Sequence, residues 1–375
     1  MEAFELGPIR PPSEAHSLLI RVTRNCPWNR CQFCTTYKGQ KFELRPVQDV
    51  KRDILTARSV QDRLTKLAVE SGSRLSDIIV QACESTSDAA VRNVSNWMYA
   101  GGDSAFLQDA NSLIVSTKDL AHIIRFLKQT LPSINRVTTY ARSHTVARRS
   151  PEELTALREA GLSRIHIGME SGSDAVLKLM DKGVTAADQV VAGRKVVASG
   201  ISLCEYVLLG LGGTRLWREH ALETASVLNQ INPDFIRIRT LSISEGNPLR
   251  RKMASGDFVR LTDEQIIDEE KLLIQNLTCR SIIVSDHITD LLQEIEGRLP
   301  EDKPRLLGII ERFQSLAPEE RLNFIMGRRM GVYGRLDDLD HPVRRELVGR
   351  AMTRMRQAGQ EPNQELVYAL MERFV

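Results

Sequence analysis

The sequence predicts an α/β protein in which parallel strands alternate with helices and curl into a complete or partial barrel. Two observations support this fold class. Six apolar, strand-like segments are separated by stretches with helical periodicity, which is typical of parallel strands joined by right-handed crossovers. The chain also has 375 residues, 42% of them hydrophobic, so it is long enough to bury a large core.

The strand and helix signals follow each other along most of the chain. Each strand signal is a short apolar run, and each helix signal is an apolar periodicity near the helical repeat, in several cases behind a capping serine. The predicted strands are 18–23, 104–107, 134–140, 164–168, 203–209 and 235–241. The predicted helices are 46–70, 75–99, 116–131, 150–161, a segment from 174, 185–199 and 217–229.

The last third of the chain is predicted to be mainly helical. Thr262 and Gln265 form a capping pattern for a helix that ends near residue 277. A short strand at 282–284 and helices at 289–296, 304–316 and 342–355 follow. The basic run 327–330 and the helix at 342–355 are interpreted as solvated faces, so they do not indicate RNA binding.

Composition and charge give no sign of a membrane or nucleic-acid partner. The net charge of +3 comes from 51 basic and 48 acidic residues, so no large uniform field is expected. Residues 1–17 contain no apolar core of signal-peptide length, and no run of eighteen apolar residues occurs. We therefore expect a cytoplasmic protein with an irregular leader over 1–17, a barrel over 18–250 and a helical region over 251–375.

A loop with three cysteines leaves the first predicted strand. Cys26, Cys31 and Cys34 can together hold corners of an iron–sulfur cube or a zinc tetrahedron. A structural zinc site needs a fourth protein ligand, which the nearby sequence lacks, whereas a cube on three thiolates leaves one iron open to a small molecule. An iron–sulfur catalytic site is favoured, with a zinc knuckle or free thiols as alternatives. The remaining cysteines are interpreted as buried structural thiols; they are Cys83, Cys204 and Cys279.

The cysteine loop resembles the cluster-binding motif of the radical S-adenosylmethionine (SAM) superfamily, in which three residues and then two separate the cysteines. Here the gaps are four and two residues, and Phe33 supplies the aromatic residue before the last cysteine. Other segments resemble the elongator-like and methylthiotransferase-like branches of the superfamily; they are 109–111, 169–183, 208–214 and 244–249. The resemblance implies an open partial (β/α)6 barrel, with the helical C-terminal region covering the barrel and the substrate pocket.

The resemblance also implies the cofactors, a 4Fe–4S cluster on the three cysteines and SAM beside it. The side chains and glycines implied to border SAM follow the carboxyl ends of strands, as in other barrel enzymes; they are Phe33, Asp109, Asn111, Arg142, Ser143, Glu170, Ser171, Lys182, Gly210 and Gly212. Asp109 and Asn111 are expected at the amino group of SAM and Lys182 at its carboxylate. The alternatives are an Asx turn at 109–111, a helix cap at Ser171 and a cation near a helix end at Lys182.

By this resemblance, an electron from a flavodoxin- or ferredoxin-like donor breaks a carbon–sulfur bond of SAM, and the 5'-deoxyadenosyl radical abstracts hydrogen from the substrate. The site must exclude water and oxygen. We expect a rearrangement, decarboxylation, oxidation or epimerisation of a small-molecule or tetrapyrrole-like substrate, because no cobalamin-binding segment is detected before the motif and few cysteines remain for further clusters. The candidate catalytic residues are Tyr206, Asp286 and His287. Arg237 and Arg239 are candidates for binding an anionic substrate, with anchoring of the cofactor or of the carboxyl-terminal region as the alternatives.

Other functions stay open at this point. An iron–sulfur electron carrier or redox sensor would use the same loop without cleaving SAM, and a zinc-stabilised binding protein would hold one zinc ion. Within the enzyme class, modification of RNA or protein is a further alternative. We expect no membrane partner, and we do not expect nucleic acid, because the chain shows no added RNA-binding module.

Overall fold

The computed structural model of the protein describes residues 4–372, so the first residues of the predicted leader lie outside the described part. The strands are β1 Leu18–Arg21, β2 Thr23–Arg24, β3 Glu43–Leu44, β4 Ser104–Gln108, β5 Arg136–Ala141, β6 Leu162–Glu170, β7 Ser202–Leu209, β8 Phe235–Thr240, β9 Ile282–Val284 and β10 Glu296–Arg298.

The α-helices account for most of the remaining chain. They are α1 Val47–Ser71, α2 Leu75–Ser85, α3 Ala89–Tyr99, α4 Thr117–Thr130, α5 Ser143–Ala147, α6 Pro151–Ala160, α7 Asp174–Leu179, α8 Ala186–Ala198, α9 Gly213–Ile231, α10 Leu249–Ala254, α11 Asp263–Asn276, α12 Lys303–Ser315, α13 Pro318–Arg329, α14 Pro342–Gln357 and α15 Gln364–Met371. None of the helices in the described residues is both long and apolar enough to cross a membrane.

The chain divides into two compact units. The first unit comprises the residues up to Asn29 together with Thr36–Gly168 and Val191–Cys204. The second unit comprises Arg30–Thr35, Met169–Val190 and the residues from Glu205 onward. The division runs through the cysteine loop and through β6, β7 and α8, so neither unit is one continuous stretch of sequence.

The first unit is built on a parallel ladder in the order β1-β4-β5-β6. Leu18 pairs with Ala105 between β1 and β4, and Tyr140 pairs with His166 between β5 and β6. Every residue of β4 is buried, as expected for a parallel strand that is covered on both faces. A separate antiparallel pair, β2 and β3, flanks the cysteine loop along the chain.

The second unit contains the carboxyl-terminal residues of β6 and β7, strands β8 to β10, and the helices from α9 onward. Strand β8 pairs in parallel with β9, and β9 pairs antiparallel with β10. Helix α11 begins with the predicted capping box, in which Thr262 and Gln265 each accept a hydrogen bond from the other's backbone N–H group. This cap fixes the start of a helix that carries several site residues.

The predicted fold class is confirmed. The protein is α/β, with six strand–helix units of the partial (β/α)6 type followed by a mainly helical C-terminal region. All six predicted strands are present as β1 and β4 to β8, and their bounds differ from the predicted ones by a few residues at most. The short predicted strand at 282–284 is also present, as β9.

Two helix predictions are wrong. The segment 75–99 is two helices, because Asp88 leaves the helical conformation and its side chain accepts hydrogen bonds from the N–H groups of Ala90 and Val91, which caps α3. The segment 289–296 is not a helix. Its last residue, Glu296, instead begins β10 opposite Val284.

The interpretation of the basic run 327–330 as a solvated face is also wrong. Arg328 is 5% exposed and Arg329 is 2% exposed. Arg328 donates to the carbonyl oxygen of Asp290, and Arg329 donates to that of Thr289 and forms a salt bridge with Asp263. The two arginines therefore hold the loop after β9 against the start of α11. Among the other cysteines, Cys204 and Cys279 are buried as predicted, whereas Cys83 is partly exposed.

Candidate active site

Four of the sequence-predicted site residues lie at the carboxyl ends of strands. Asp109 follows β4, Arg142 follows β5, Glu170 ends β6 and Gly210 follows β7. The carboxyl ends of parallel strands are where barrel folds carry their functional side chains, because the loops there vary without disturbing the core.

In the first unit, Asp109 is a fully buried acceptor that serves several donors. Its Oδ2 accepts hydrogen bonds from the Arg21 guanidinium at 2.7 and 3.0 Å and from the Asn25 backbone N–H at 3.0 Å. Its Oδ1 accepts the Tyr37 hydroxyl hydrogen bond. Asn25 precedes Cys26 directly and Tyr37 follows Cys34 by three positions, so Asp109 anchors residues on both sides of the cysteine loop.

Burial and the contact with Asp109 hold Tyr37 in its neutral form. Burial raises the pKa of Tyr37 well above its usual value, and the charge of Asp109 and the hydrogen bond to it raise the pKa further. Neither Tyr37 nor Arg21 is among the residues that the sequence singles out. They lie 72 and 88 positions from Asp109, and no local pattern indicates such a contact.

The gap between Cys26 and Cys31 contains its own turn. Asn29 has a left-handed backbone with φ of 49°, a conformation that asparagine tolerates better than most residues. Its backbone N–H lies 3.4 Å from the Cys26 sulfur, and its carbonyl accepts a hydrogen bond from the Lys38 ammonium at 2.9 Å. This turn accommodates the residue by which the gap exceeds the usual spacing.

Asn111 and Arg142 are brought together at the end of β5. The fully buried Asn111 accepts a hydrogen bond from the Arg142 backbone N–H at 3.1 Å and donates to the Thr145 hydroxyl at 2.8 Å. The Arg142 guanidinium lies 5.1 Å from the Trp28 ring centroid, within the range of a cation–π contact. Ser143 is buried at the start of the short helix α5.

In the second unit, the segment Arg30–Thr35 carries Cys31, Phe33 and Cys34. The Gln32 backbone N–H donates to the Met180 carbonyl at 2.9 Å, and the Asn247 side chain donates to the Phe33 carbonyl at 3.0 Å. These two backbone anchors fix the part of the cysteine loop that contains the last two thiols.

Glu170, Lys182 and Phe33 form a group in the second unit. The Lys182 ammonium lies 3.1 Å from the Glu170 carboxylate and 5.6 Å from the centroid of the Phe33 ring. Three of the residues that the sequence connects with SAM are therefore adjacent. Ser171 is fully buried and its hydroxyl accepts a hydrogen bond from the Ser173 backbone N–H, which is the contact of a helix-entry turn.

Gly210 and Gly212 are required by close packing within the second unit. Gly210 has a φ of 83°, and a Cβ there would lie 2.8 Å from Ile266 on α11. A Cβ on Gly212 would lie 2.7 Å from the Leu216 backbone. These approaches explain both glycines by the protein's own structure, and their contact with the nucleoside of SAM stays a prediction.

The predicted catalytic residues gather around Arg239. Its guanidinium lies 5.1 Å from the Tyr206 ring centroid and donates to Asp286 at 2.8 Å. Arg237 also forms a salt bridge with Asp286, so one carboxylate bridges the two arginines with one oxygen each. Burial raises the pKa of Asp286, but the charges of Arg239 and Arg237 outweigh burial and lower it. Asp286 is therefore an anion at neutral pH.

His287 is neutral in the same cluster. Burial lowers the pKa of His287 and the charge of Arg239 lowers it further, to about 4, against the smaller raising effect of Asp286. The Thr289 backbone N–H points at its Nδ1 at 3.3 Å, which fits an unprotonated nitrogen. His287 is thus a hydrogen-bonding group without charge at neutral pH.

A buried acid on β7 was missed by sequence reasoning. Glu205 is 1% exposed. Burial raises its pKa well above the usual value, the charge of Glu170 raises it further, and Lys182 opposes this effect only in part. Within residues 4–372, no hydrogen-bond partner reaches Glu205 Oε2. The local signal that could have indicated it is a single carboxylate inside the otherwise apolar run 203–209.

The thiol donors suit the cluster that the sequence implies. Cys26, Cys31 and Cys34 are not in disulfide bonds and are partly exposed, and thiols of this kind are suitable soft ligands for iron. Between Phe4 and Glu372, no three or more His, Cys, Asp or Glu side chains stand grouped around a metal position.

The sequence model of the radical SAM superfamily matches residues 20–225. An uncharacterized protein of Methanocaldococcus jannaschii is 28% identical over 103 residues, which cover 28% of this chain and 31% of that relative. The tRNA uridine(34) acetyltransferase of Methanocaldococcus infernus is 22% identical over 120 residues, which cover 32% of this chain and 22% of the relative. The chain thus spans less than a third of the length of either relative.

Among solved structures, coproporphyrinogen III oxidase from Escherichia coli, described as a radical SAM enzyme, superimposes with a TM-score of 0.47 and 15% sequence identity. The superposition covers 69% of this chain and 51% of the oxidase.

Replacing Asp109 tests its role as the loop anchor. We expect Asp109→Asn to lower the free energy of unfolding by about 2 kcal/mol, because the largely buried Arg21 would lose the closer of its two carboxylate partners and keep only Glu5. Asp62→Asn, which removes an exposed i,i+4 partner of Arg58, should change it by less than about 0.5 kcal/mol. Denaturant unfolding of both variants measures the difference, and equal losses would contradict the anchoring role.

The low pKa of His287 gives a pH-dependent prediction. Folding favours neutral His287, so its contribution to stability is present above the unfolded pKa, about 6.5, and is lost as the pH falls toward the folded value of about 4. Because Arg239 helps to depress this pKa, Arg239→Gln should raise it toward 6.5.

An NMR titration of the histidine ring signals measures the pKa of His287 directly. Arg251→Gln, which removes an exposed arginine of α10, is the control and should leave the His287 titration unchanged. An unchanged value in Arg239→Gln would show that the arginine has no electrostatic influence on the histidine.

Proposed function

The chain belongs to the radical SAM superfamily, and from this premise we propose that it is an enzyme that cleaves SAM reductively and abstracts hydrogen from a small, carboxylate-bearing substrate. Members of the family bind a 4Fe–4S cluster and SAM. When bound, the cluster and SAM supply a 5'-deoxyadenosyl radical that removes the hydrogen atom. The rest of the proposal concerns what this chain's own residues contribute.

The proposal is supported mainly by the anchored loop, which carries three cysteines that are not in disulfide bonds. Cys26, Cys31 and Cys34 would be the iron ligands, and the loop is fixed by backbone hydrogen bonds at Asn25 and Gln32. A structural zinc site would call for a fourth protein ligand. Three thiolates suit a cluster that keeps one coordination position for a small molecule.

The residues near the loop would bind and orient SAM. Lys182 would meet its carboxylate, with Glu170 holding the ammonium of Lys182 at 3.1 Å and Phe33 packing close by. Asp109 would act mainly through the loop that it anchors, since both of its oxygens already accept hydrogen bonds.

A carboxylate is the substrate group that the Arg239 cluster suits best. Arg237 and Arg239 already share one carboxylate, that of Asp286, whose side chain is 33% exposed while theirs are 10% and 12% exposed. No acceptor among the described residues satisfies the buried Nη2 of Arg239. A substrate carboxylate would supply the missing acceptor, with Tyr206 stacked behind the guanidinium and neutral His287 beside it.

The first expected outcome is SAM cleavage that depends on the cysteine loop. After anaerobic reconstitution with iron and sulfide, the protein should convert SAM to 5'-deoxyadenosine when dithionite is added, measured by chromatography. The triple variant Cys26/Cys31/Cys34→Ala should form none, because the cluster would lose all of its thiolate ligands. Cys83→Ala, which removes a partly exposed thiol outside the loop, should retain full activity.

A protein that holds the cluster but never cleaves SAM would be an electron carrier or redox sensor instead. Zinc without iron on the same cysteines would contradict both of these functions.

The second expected outcome concerns the substrate. Among small carboxylic acids and their matched carboxamides, only acids should stimulate deoxyadenosine formation, because a charged carboxylate is a stronger acceptor for the Nη2 of Arg239 than a neutral amide oxygen. Arg239→Gln should raise the KM for such an acid by roughly 30-fold or more, from a loss of ~2 kcal/mol. Its SAM cleavage without substrate should stay within about twofold of the unmodified enzyme. Stimulation by the amides, or an unchanged KM in the variant, would count against a carboxylate substrate.

A further inference from the structure

A buried histidine and glutamate connect the ends of β6 and β7 to helix α11. Glu269 Oε2 accepts the Gly210 backbone N–H at 2.6 Å, and Glu269 Oε1 lies 2.7 Å from His220 Nδ1. His220 Nε2 lies 3.1 Å from the Glu170 carbonyl oxygen. One chain of hydrogen bonds therefore runs from the last residue of β6 to the first residue after β7.

The geometry requires a charged histidine. Both ring nitrogens of His220 face acceptors, a carboxylate on one side and a carbonyl on the other, so both must carry a proton. Burial lowers the pKa of His220, but the charge and hydrogen bond of Glu269 and the bond to the Glu170 carbonyl outweigh burial and raise it. His220 and Glu269 thus form a buried ion pair in which both imidazolium N–H groups and both carboxylate oxygens have a hydrogen-bond partner.

The two strand ends that the pair connects have backbone conformations that need support. Glu170 has a φ of 65° and Gly210 has a φ of 83°, and a non-glycine residue such as Glu170 holds the left-handed conformation only where its surroundings fix it. Helix α11 presents Ile266 and Glu269 three positions apart, hence on one face. Ile266 fills the space beside Gly210 where a side chain would otherwise stand.

We propose that His220 and Glu269 are positioning residues that set the SAM-binding backbone at Glu170 and Gly210 and couple it to α11. The inference rests on the proposed function for the identity of the ligand, SAM. The coupling of Glu170 and Gly210 to α11 does not depend on that function. Helix α11 lies outside residues 20–225, the part that matches the superfamily. The C-terminal region would therefore act on the cofactor-binding ends of the strands through this pair.

Replacing the carboxylate by an amide breaks the chain of bonds with little change of shape. In Glu269→Gln, the amide can accept either from the Gly210 N–H or from His220, while its NH2 group faces the other partner. One of the two bonds is lost in either orientation, and the histidine no longer has an anion beside it. Glu264→Gln is the matched control, because Glu264 lies on the same helix with its side chain 51% exposed.

The binding test uses S-adenosylhomocysteine as the probe on the reconstituted protein, by isothermal titration calorimetry. Glu269→Gln should raise its Kd about tenfold or more, as loss of a partner that orients a ligand-binding group commonly does. Glu264→Gln should leave the Kd unchanged. Deoxyadenosine formation by Glu269→Gln should show a raised KM for SAM with kcat within about threefold, because SAM once bound reaches the same iron.

Two further readouts do not depend on SAM. Backbone hydrogen exchange at Gly210 should become faster in Glu269→Gln and not in Glu264→Gln. The thermal stability of the unmodified protein should contain a contribution that is complete below the unfolded histidine pKa, about 6.5, and is lost as the pH rises through the raised folded pKa. Glu269→Gln should lose this contribution. Glu270 is the ionisable group that interacts with Glu269, and Lys182 and Glu205 interact with the side chain of Glu170.

The outcomes separate the inference from the proposed function. If the unmodified protein neither binds the probe nor cleaves SAM, the proposed function fails, while faster exchange at Gly210 and the altered pH dependence would still support the coupling. Unchanged Kd, exchange and pH dependence in Glu269→Gln would overturn the inference. If Glu269→Gln does not fold, His220→Gln serves in its place; it should weaken probe binding and remove the pH-dependent stability, and if it does neither the inference is likewise overturned.

Discussion

The backbone at the carboxyl ends of the strands needs hydrogen-bond partners beyond the sheet, and buried carboxylates supply them. A backbone N–H that is buried without an acceptor costs free energy comparable to a lost hydrogen bond. Asp109 accepts the N–H of Asn25 in the first unit, and Glu269 accepts the N–H of Gly210 in the second. Each carboxylate is in turn paired with a cation, Arg21 or His220. The loops that carry the site therefore depend on charges that do not themselves face solvent.

Two histidines show how strongly the neighbours decide the chemistry of a residue type. His220 faces a carboxylate and a carbonyl, so its pKa is raised and it is charged. His287 is half-buried near Arg239, and loss of solvation and the charge of Arg239 lower its pKa to about 4, so it is neutral. The same side chain is thus a cation that fixes backbone in one place and an uncharged hydrogen-bonding group in the other.

The sequence predicts what depends on short-range pattern and misses what depends on distant contacts. The strands, the cysteine loop and the strand-end positions of Asp109, Arg142, Glu170 and Gly210 follow from apolar runs and motif order. The contacts that fix these positions join distant parts of the chain and carry no local signature. His220 and Glu269, for example, are 49 positions apart. Most arginines are exposed, so the sequence predicts an exposed Arg329. Its salt-bridge partner Asp263, 66 positions away in the chain, makes burial of the Arg329 side chain favourable.

The departure of the cysteine loop from the usual spacing has a structural basis in the first unit. The longer gap contains Asn29 in the left-handed conformation, and its carbonyl and side chain are bound by the Lys38 ammonium and the Tyr37 carbonyl. Tyr37 is itself fixed through its hydroxyl to Asp109. An inserted residue without such hydrogen bonds would leave the loop flexible, and ordering that loop on metal binding would cost conformational entropy. Here the added residue belongs to a hydrogen-bonded turn, so the longer gap is compatible with the same three thiol ligands.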